Sequence, residues 1–272
     1  MNRYSLRAMG VGDILDTTFS LYRESFLLFI GITAALYIPY GAVDLLIRRA
    51  DPKAGGLSEL IRLLLIDPLA TGALTFAVAE RYLGRRAGIK EALSAVRYTS
   101  ILFASILVGL VVGGLIQVVS LIGMALMRGG AAVVGVPLVI AMVPAVIYLT
   151  VRWNFYPQAI MIERYRAVGS LGRSWGLVGG FWWRVFGIIF IASLISLAPL
   201  LVIGAALELV TMRYSPGGWM VPSIAVTVLS ILFMPIYRIA QTLLYFDLRV
   251  RKEAFDLELM AQSLGEPTER MG

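Results

Sequence analysis

At 272 residues, 59% hydrophobic and 15% charged, the chain is more apolar than ordinary soluble domains, which run about 45–50% apolar and about 25% charged. It has no cysteine and no histidine. That excludes disulfide frameworks, thiolate zinc sites, cysteine nucleophiles and imidazole triads. The net charge of +7 gathers at the ends of apolar runs, so it reads as basic loops flanking a membrane and not as a nucleic-acid surface.

The chain opens with Met1-Asn2-Arg3-Tyr4-Ser5-Leu6-Arg7, but Asp13 and Asp16 stand where the apolar core of a signal peptide would begin. The first span is therefore expected to be retained. Residues 12–23 place apolar side chains at 14, 15, 19, 21 and 22, near helical spacing. Apolar runs follow at 26–47 and 60–83, each long enough to cross the ~30 Å hydrocarbon core as a helix. A second amphipathic segment, 88–98, leads into runs at 101–127 and 131–155, turned by Arg128-Gly129-Gly130. A third, 168–178, leads into runs at 185–210 and 219–246. The last helix continues as a charged stretch to 258, and 265–272 is polar and expected to be disordered.

The predicted fold class is all-α. It is a polytopic transmembrane helical bundle of about six spans plus three cytoplasmic interfacial amphipathic helices, forming a single integral membrane domain over 1–264. Lys and Arg number 17 on the side that holds both termini and 6 on the other, with Arg238 inside the sixth span. The positive-inside rule then predicts a multi-pass protein of the plasma or inner membrane with cytoplasmic N- and C-termini. The first outer loop, with Arg48, Arg49, Lys53 and Arg62, is basic for its position.

Each amphipathic segment precedes an outward and a returning span, which defines candidate repeat units 12–83, 88–165 and 168–250. The returning spans end alike, in Glu80-Arg81-Tyr82, Glu163-Arg164-Tyr165 and Tyr245-Phe246-Asp247-Leu248-Arg249. Pro68 and Pro235 each stand twelve residues before the acid, while Pro144 stands nineteen before Glu163. Chance placement of Tyr, Arg and Glu at interfaces is the competing account.

Charge at a span centre costs about 2.5–3.5 kcal/mol on insertion scales. Asp67 precedes Pro68 in the second span and Arg238 follows Pro235 in the sixth. Their depths differ by ~6 Å of helix rise, which an arginine can cover. They form a candidate intramembrane pair, either a proton or ion relay or a satisfied structural pair beside a proline. Asp44, Glu208 and Arg62, near outer span ends, are expected to snorkel. Gly109 and Gly113 share one face of the third span, a spacing that permits close helix packing. Arg173, Trp175, Trp182, Trp183 and Arg184 form a rim at the expected inner interface. This rim is either an aromatic belt or a contact for anionic lipid head groups.

The run from Leu244 through Tyr245-Phe246-Asp247-Leu248-Arg249-Val250-Arg251-Lys252-Glu253 to Glu258 resembles the closing motif of the glycerophosphoryl diester phosphodiesterase membrane-domain family. Gly12-Asp13-Ile14-Leu15-Asp16, Leu21-Tyr22-Arg23, and Ser174-Trp175 before Phe181-Trp182-Arg184 are similar to that family too. The resemblance covers nearly the whole chain and implies a six-span bacterial membrane protein. It does not imply the enzyme activity, which in two-part members belongs to a separate soluble domain that uses histidine.

Three functions follow as expectations. The first is a non-enzymatic membrane protein that organises lipid or partner proteins at the cytoplasmic leaflet. The second is a transporter or channel component using Asp67 and Arg238. The third is an intramembrane lipid enzyme with interfacial carboxylates such as Glu80 and Glu163 holding a metal. The expected partners are membrane lipid, anionic lipid at the inner leaflet, and protein partners or a second copy of the chain. No nucleic acid, no cofactor and no metal site are expected.

Overall fold

The computed structural model describes residues 8–51, 54–214 and 219–254, with the backbone alone at 212–214. The predicted tail at 265–272 and the end of the closing motif lie outside the described residues. The described residues form helices and no strand. Six of the helices, or stacked helix pairs, are long and apolar enough to cross a membrane.

Helix α1 (Val11–Glu24) is the first amphipathic element. Its start is set locally: Asp13, at the third helical position, accepts the Gly10 N–H at 2.9 Å, which satisfies one otherwise orphaned donor. Its buried face is Ile14, Thr18 and Leu21. Helix α2 (Phe26–Ala50) crosses next. The returning span is composite: α3 (Gly55–Ile61), a π-helical turn at Arg62–Ile66, then α4 (Asp67–Tyr82).

Proline explains the wide turn. Pro68 offers no N–H, so the Leu64 carbonyl one turn earlier has no helical donor. The Tyr98 hydroxyl donates to it at 2.7 Å. Pro235 does the same to Ile231, whose carbonyl lies 3.0 Å from the Thr33 hydroxyl, and the neighbouring Leu232 carbonyl accepts from Tyr22 at 2.8 Å. Both proline breaks are thus stitched to a different helix. We predict that Tyr98→Phe lowers stability by about 1 kcal/mol, read as a lower midpoint in a thermal gel-filtration assay. A midpoint equal to wild type would show that the freed carbonyl needs no partner.

The second unit is α5 (Ile89–Ser94), α6 (Tyr98–Arg128), α7 (Ala132–Arg152) and α8 (Tyr156–Met161). Helix α5 starts as α1 does, with Glu91 accepting the Gly88 N–H at 3.0 Å. It is only six residues long, shorter than its sequence pattern suggests. The third unit is α9 (Ala167–Val178), α10 (Trp182–Tyr214) and α11 (Met220–Glu253). The order short helix, first span, antiparallel second span therefore occurs three times.

Helix α11 is the hub, touching α1, α2, α4, α9 and α10. Helix α4 is lined with Ala70, Gly72, Ala73, Ala77 and Ala79, all buried, and small side chains let neighbours approach. A Cβ on Gly72 would lie 2.7 Å from Val96 and 2.8 Å from Ile101. The core concentrates at the basic end, around Phe29, Leu74, Phe155, Leu177, Tyr245 and Phe246. There α1 and α9 pack their inner faces on the bundle as a cap.

At the opposite end the helices part. Helices α6 and α7 pack mainly on each other, with contacts to α4, α8, α9 and α10. Gly109 and Gly113 meet nothing within 4 Å; the close glycine approach is instead between Gly135 and Gly123, where a Cβ on Gly135 would stand 2.8 Å from the Gly123 carbonyl. The paired glycines on α6 are exposed.

Candidate functional site

The splayed end encloses a cavity of about 700 Å3 between α2, the α3–α4 break, α10 and α11. It runs from Trp219 and Glu208 down to Tyr237 and Arg238. Nineteen residues of helix separate Trp219 from Arg238, a depth of about 28 Å. Leu197, Leu200, Val226 and Met234 supply apolar wall, and Ser193, Ser196, Ser223, Thr227 and Ser230 supply hydroxyls.

The charges along this cavity are mostly matched. Asp44, predicted to snorkel, is buried at 7% exposure and takes Arg48 at 2.7 Å. Arg62 donates to Glu59 at 3.0 Å and to Asp67 at 3.2 Å. Asp67 also accepts from the Tyr37 hydroxyl at 2.8 Å. The π-turn explains this choice of partner. It carries Arg62 and Asp67 at its two ends, so the guanidinium reaches back along its own chain.

Asp67 and Arg238 therefore line one cavity without forming the direct pair expected from their depths. The rise argument fixed height and left azimuth open, and Arg62 is nearer. In a double-mutant cycle, Asp67→Asn with Arg62→Gln should show coupling of about 1 kcal/mol. Asp67→Asn with Arg238→Gln should be additive. The reverse ranking, in thermal midpoints converted to free energy, would restore the direct pair.

Arg238 is the lining arginine that meets no carboxylate directly among the described residues, since Arg62 takes both Glu59 and Asp67. Its Nη1 donates to Gln241 at 3.0 Å, and its guanidinium lies 5.4 Å from the Tyr237 ring centre. Its Nε is buried and meets no acceptor among the described residues, and neither does the Ser196 hydroxyl on the same cavity. Below it, Gln241 donates to the Asn154 carbonyl, and the Asn154 amide and Tyr237 hydroxyl lie 3.3 Å apart. This polar floor holds Arg238 from one side only.

At the basic end the residues behind the family resemblance meet. Asp247 has no exposed surface. It accepts the Met9 N–H at 2.8 Å, Arg184 at 2.9 Å and Arg251 at 3.0 Å. Arg173 bridges Glu163 at 2.8 Å and Glu253 at 2.7 Å, and Arg249 closes the set at 3.2 Å from Glu253. Hydrogen bonding to Glu253 and then Glu163 raises the Arg173 pKa above its ordinary value, so it stays charged. Glu80 takes Arg85 at 3.3 Å, so Glu80 and Glu163 each hold an arginine of their own.

The expected rim is thus divided. Arg173 and Arg184 face internal carboxylates, which the sequence placed too far away to see. The aromatic members remain at the surface: Trp183 is 78% exposed and Trp175 38% exposed, while Trp182 stacks on Tyr148 and Phe186. Spacing missed Arg152 and Lys252, which stand beside Trp175 and Phe181.

No curated protein and no solved structure matches the chain. A family model described as a domain of unknown function, DUF7847, matches residues 9–243. That stretch holds the whole lining of the cavity, and Met9 and Arg184 of the Asp247 clasp, but it ends before Asp247 and Arg251. The chain belongs to this DUF7847 family.

Proposed function

We propose that the protein is a non-enzymatic membrane carrier, or the ligand-binding component of one, for an amphiphilic anion. One observation carries this: a buried arginine nitrogen without an acceptor at the floor of a deep cavity whose other intramembrane cations are paired. A buried donor without an acceptor in low dielectric is costly, and a ligand oxygen that accepts from it removes the cost. A carboxylate or phosphate head group suits Arg238 and the Ser196 hydroxyl. An apolar tail suits Leu197, Leu200, Val226 and Met234. The volume lies in the range of small-molecule sites, and irregular helix beside the cavity, as at Arg62–Ile66, recurs where transporters hold substrates.

The alternative of organising lipid or partners at the cytoplasmic leaflet drew its charge from Arg173 and Arg184. Both have internal partners, so the cavity is the stronger support. Kinship with the glycerophosphoryl diester phosphodiesterase membrane-domain proteins rests on the quoted motifs alone. With the basic end in the cytoplasm, as the charge count predicts, the cavity mouth faces outward.

The test is uptake of radiolabelled decanoate and of short-chain phosphatidic acid into vesicles that contain the purified chain. Saturable uptake of at least one probe, above that of protein-free vesicles, is expected. Uptake indistinguishable from protein-free vesicles for both probes, with no binding in detergent, would overturn the reading.

A further inference from the structure

We infer that the basic end carries a second site, separate from the cavity, for the head group of an anionic phospholipid. It is built from Arg152, Lys252 and Tyr148. Arg152 donates through Nη1 to the Trp175 carbonyl at 3.1 Å, and through Nε and Nη2 to the Tyr148 hydroxyl at 3.0 and 2.8 Å. Lys252 donates to the Gly176 carbonyl at 2.7 Å. Neither meets a carboxylate among the described residues, in contrast to Arg173, Arg184, Arg249 and Arg251 around them.

The two cations converge. Arg152 Nη1 and Lys252 Nζ lie 3.5 and 3.7 Å from the point where a Gly179 Cβ would sit. Like charges this close repel, and the carbonyl end of α9 offsets only about half of one charge. More than one positive charge is left. Tyr148 accepts from Arg152 twice and keeps its own proton to donate. Lys252 has two further N–H groups, and Gly172 and Gly176 leave open space on α9. The donors that remain match the oxygens of a phosphate diester.

The surroundings select a lipid over a free phosphate. Arg152 lies 4.7 Å from the Trp175 ring centre and 5.1 Å from that of Tyr148. Trp182, Trp183 and Phe186 continue the aromatic surface along α10. Aromatic side chains beside basic ones at a span end sit at head-group depth in a bilayer. Capping the end of α9 accounts for one donor of each cation and leaves the excess charge unexplained.

Tryptophan quenching tests this with the full chain in vesicles. Four of the five tryptophans, Trp153, Trp175, Trp182 and Trp183, are at this end. Brominated phosphatidylglycerol, diluted in unlabelled phosphatidylcholine, should reach half-quenching at a mole fraction lower than brominated phosphatidylcholine by roughly fivefold or more. Arg152→Gln with Lys252→Gln should bring the two lipids together, and Arg152→Lys with Lys252→Arg should keep them apart. Equal quenching by both lipids in the wild type overturns the proposal without any variant. So does an unchanged preference in the double glutamine variant. Displacement by millimolar glycerol 3-phosphate would make this a soluble-phosphate site and overturn the assignment to lipid.

Discussion

Asp247→Ala is expected to lower stability by about 3–5 kcal/mol, the largest effect of any single change outside the apolar core. Asp247 is fully buried and is the only carboxylate that Arg184 and Arg251 share among the described residues. Removing it leaves two guanidinium groups facing each other across the Met9 backbone, with the Met9 N–H also unpaired. The loss should appear as a lower thermal midpoint and as protease access near residue 9, because the Asp247 contact holds that segment on the bundle. Asp247→Asn should fall between, since the amide can still accept from Met9 but no longer balances the charge. Wild-type midpoints for both variants would show that the clasp contributes nothing.

Arg238→Gln is expected to act in the opposite way. Ligand affinity should fall by about 30- to 100-fold, the scale of a lost hydrogen bond to a charged group. The empty protein should be as stable as wild type or more so, because a buried donor without an acceptor is removed. A residue that only supports the fold would lower affinity and stability together. Loss of thermal stability in Arg238→Gln with unchanged decanoate and phosphatidic acid binding would assign Arg238 a structural role. Asp67→Asn is the contrast: it should destabilise, since it frees Arg62 and Tyr37 from a shared acceptor.

These two arginines show where reading the sequence stops. Both were visible as charges near span ends or centres. The tryptophans beside Arg184 suggest an aromatic belt or a lipid contact, yet its partner Asp247 lies 63 positions away. Similar depths along their helices suggest that Arg238 pairs with Asp67. Depth follows from counting residues along a helix, but which way a side chain points around the bundle depends on every other helix. Asp44, expected to snorkel, is instead buried and takes Arg48 one turn along its own helix, a partner that is local in the chain.

What the sequence determined by itself is whatever depends on one stretch of chain. Six apolar runs set six spans, because a backbone in hydrocarbon must satisfy its own hydrogen bonds. The three amphipathic segments set the cap helices, and Gly10 with Asp13 and Gly88 with Glu91 set where two of them begin. Pro68 and Pro235 set where spans lose a hydrogen bond. The tertiary structure alone decided which groups repair those losses, that Arg173 and Arg184 turn inward, and that Arg152, Lys252 and Arg238 are left without a carboxylate. Partner choice among charges depends on distances of a few ångströms between segments far apart in the chain, and no local pattern carries that information.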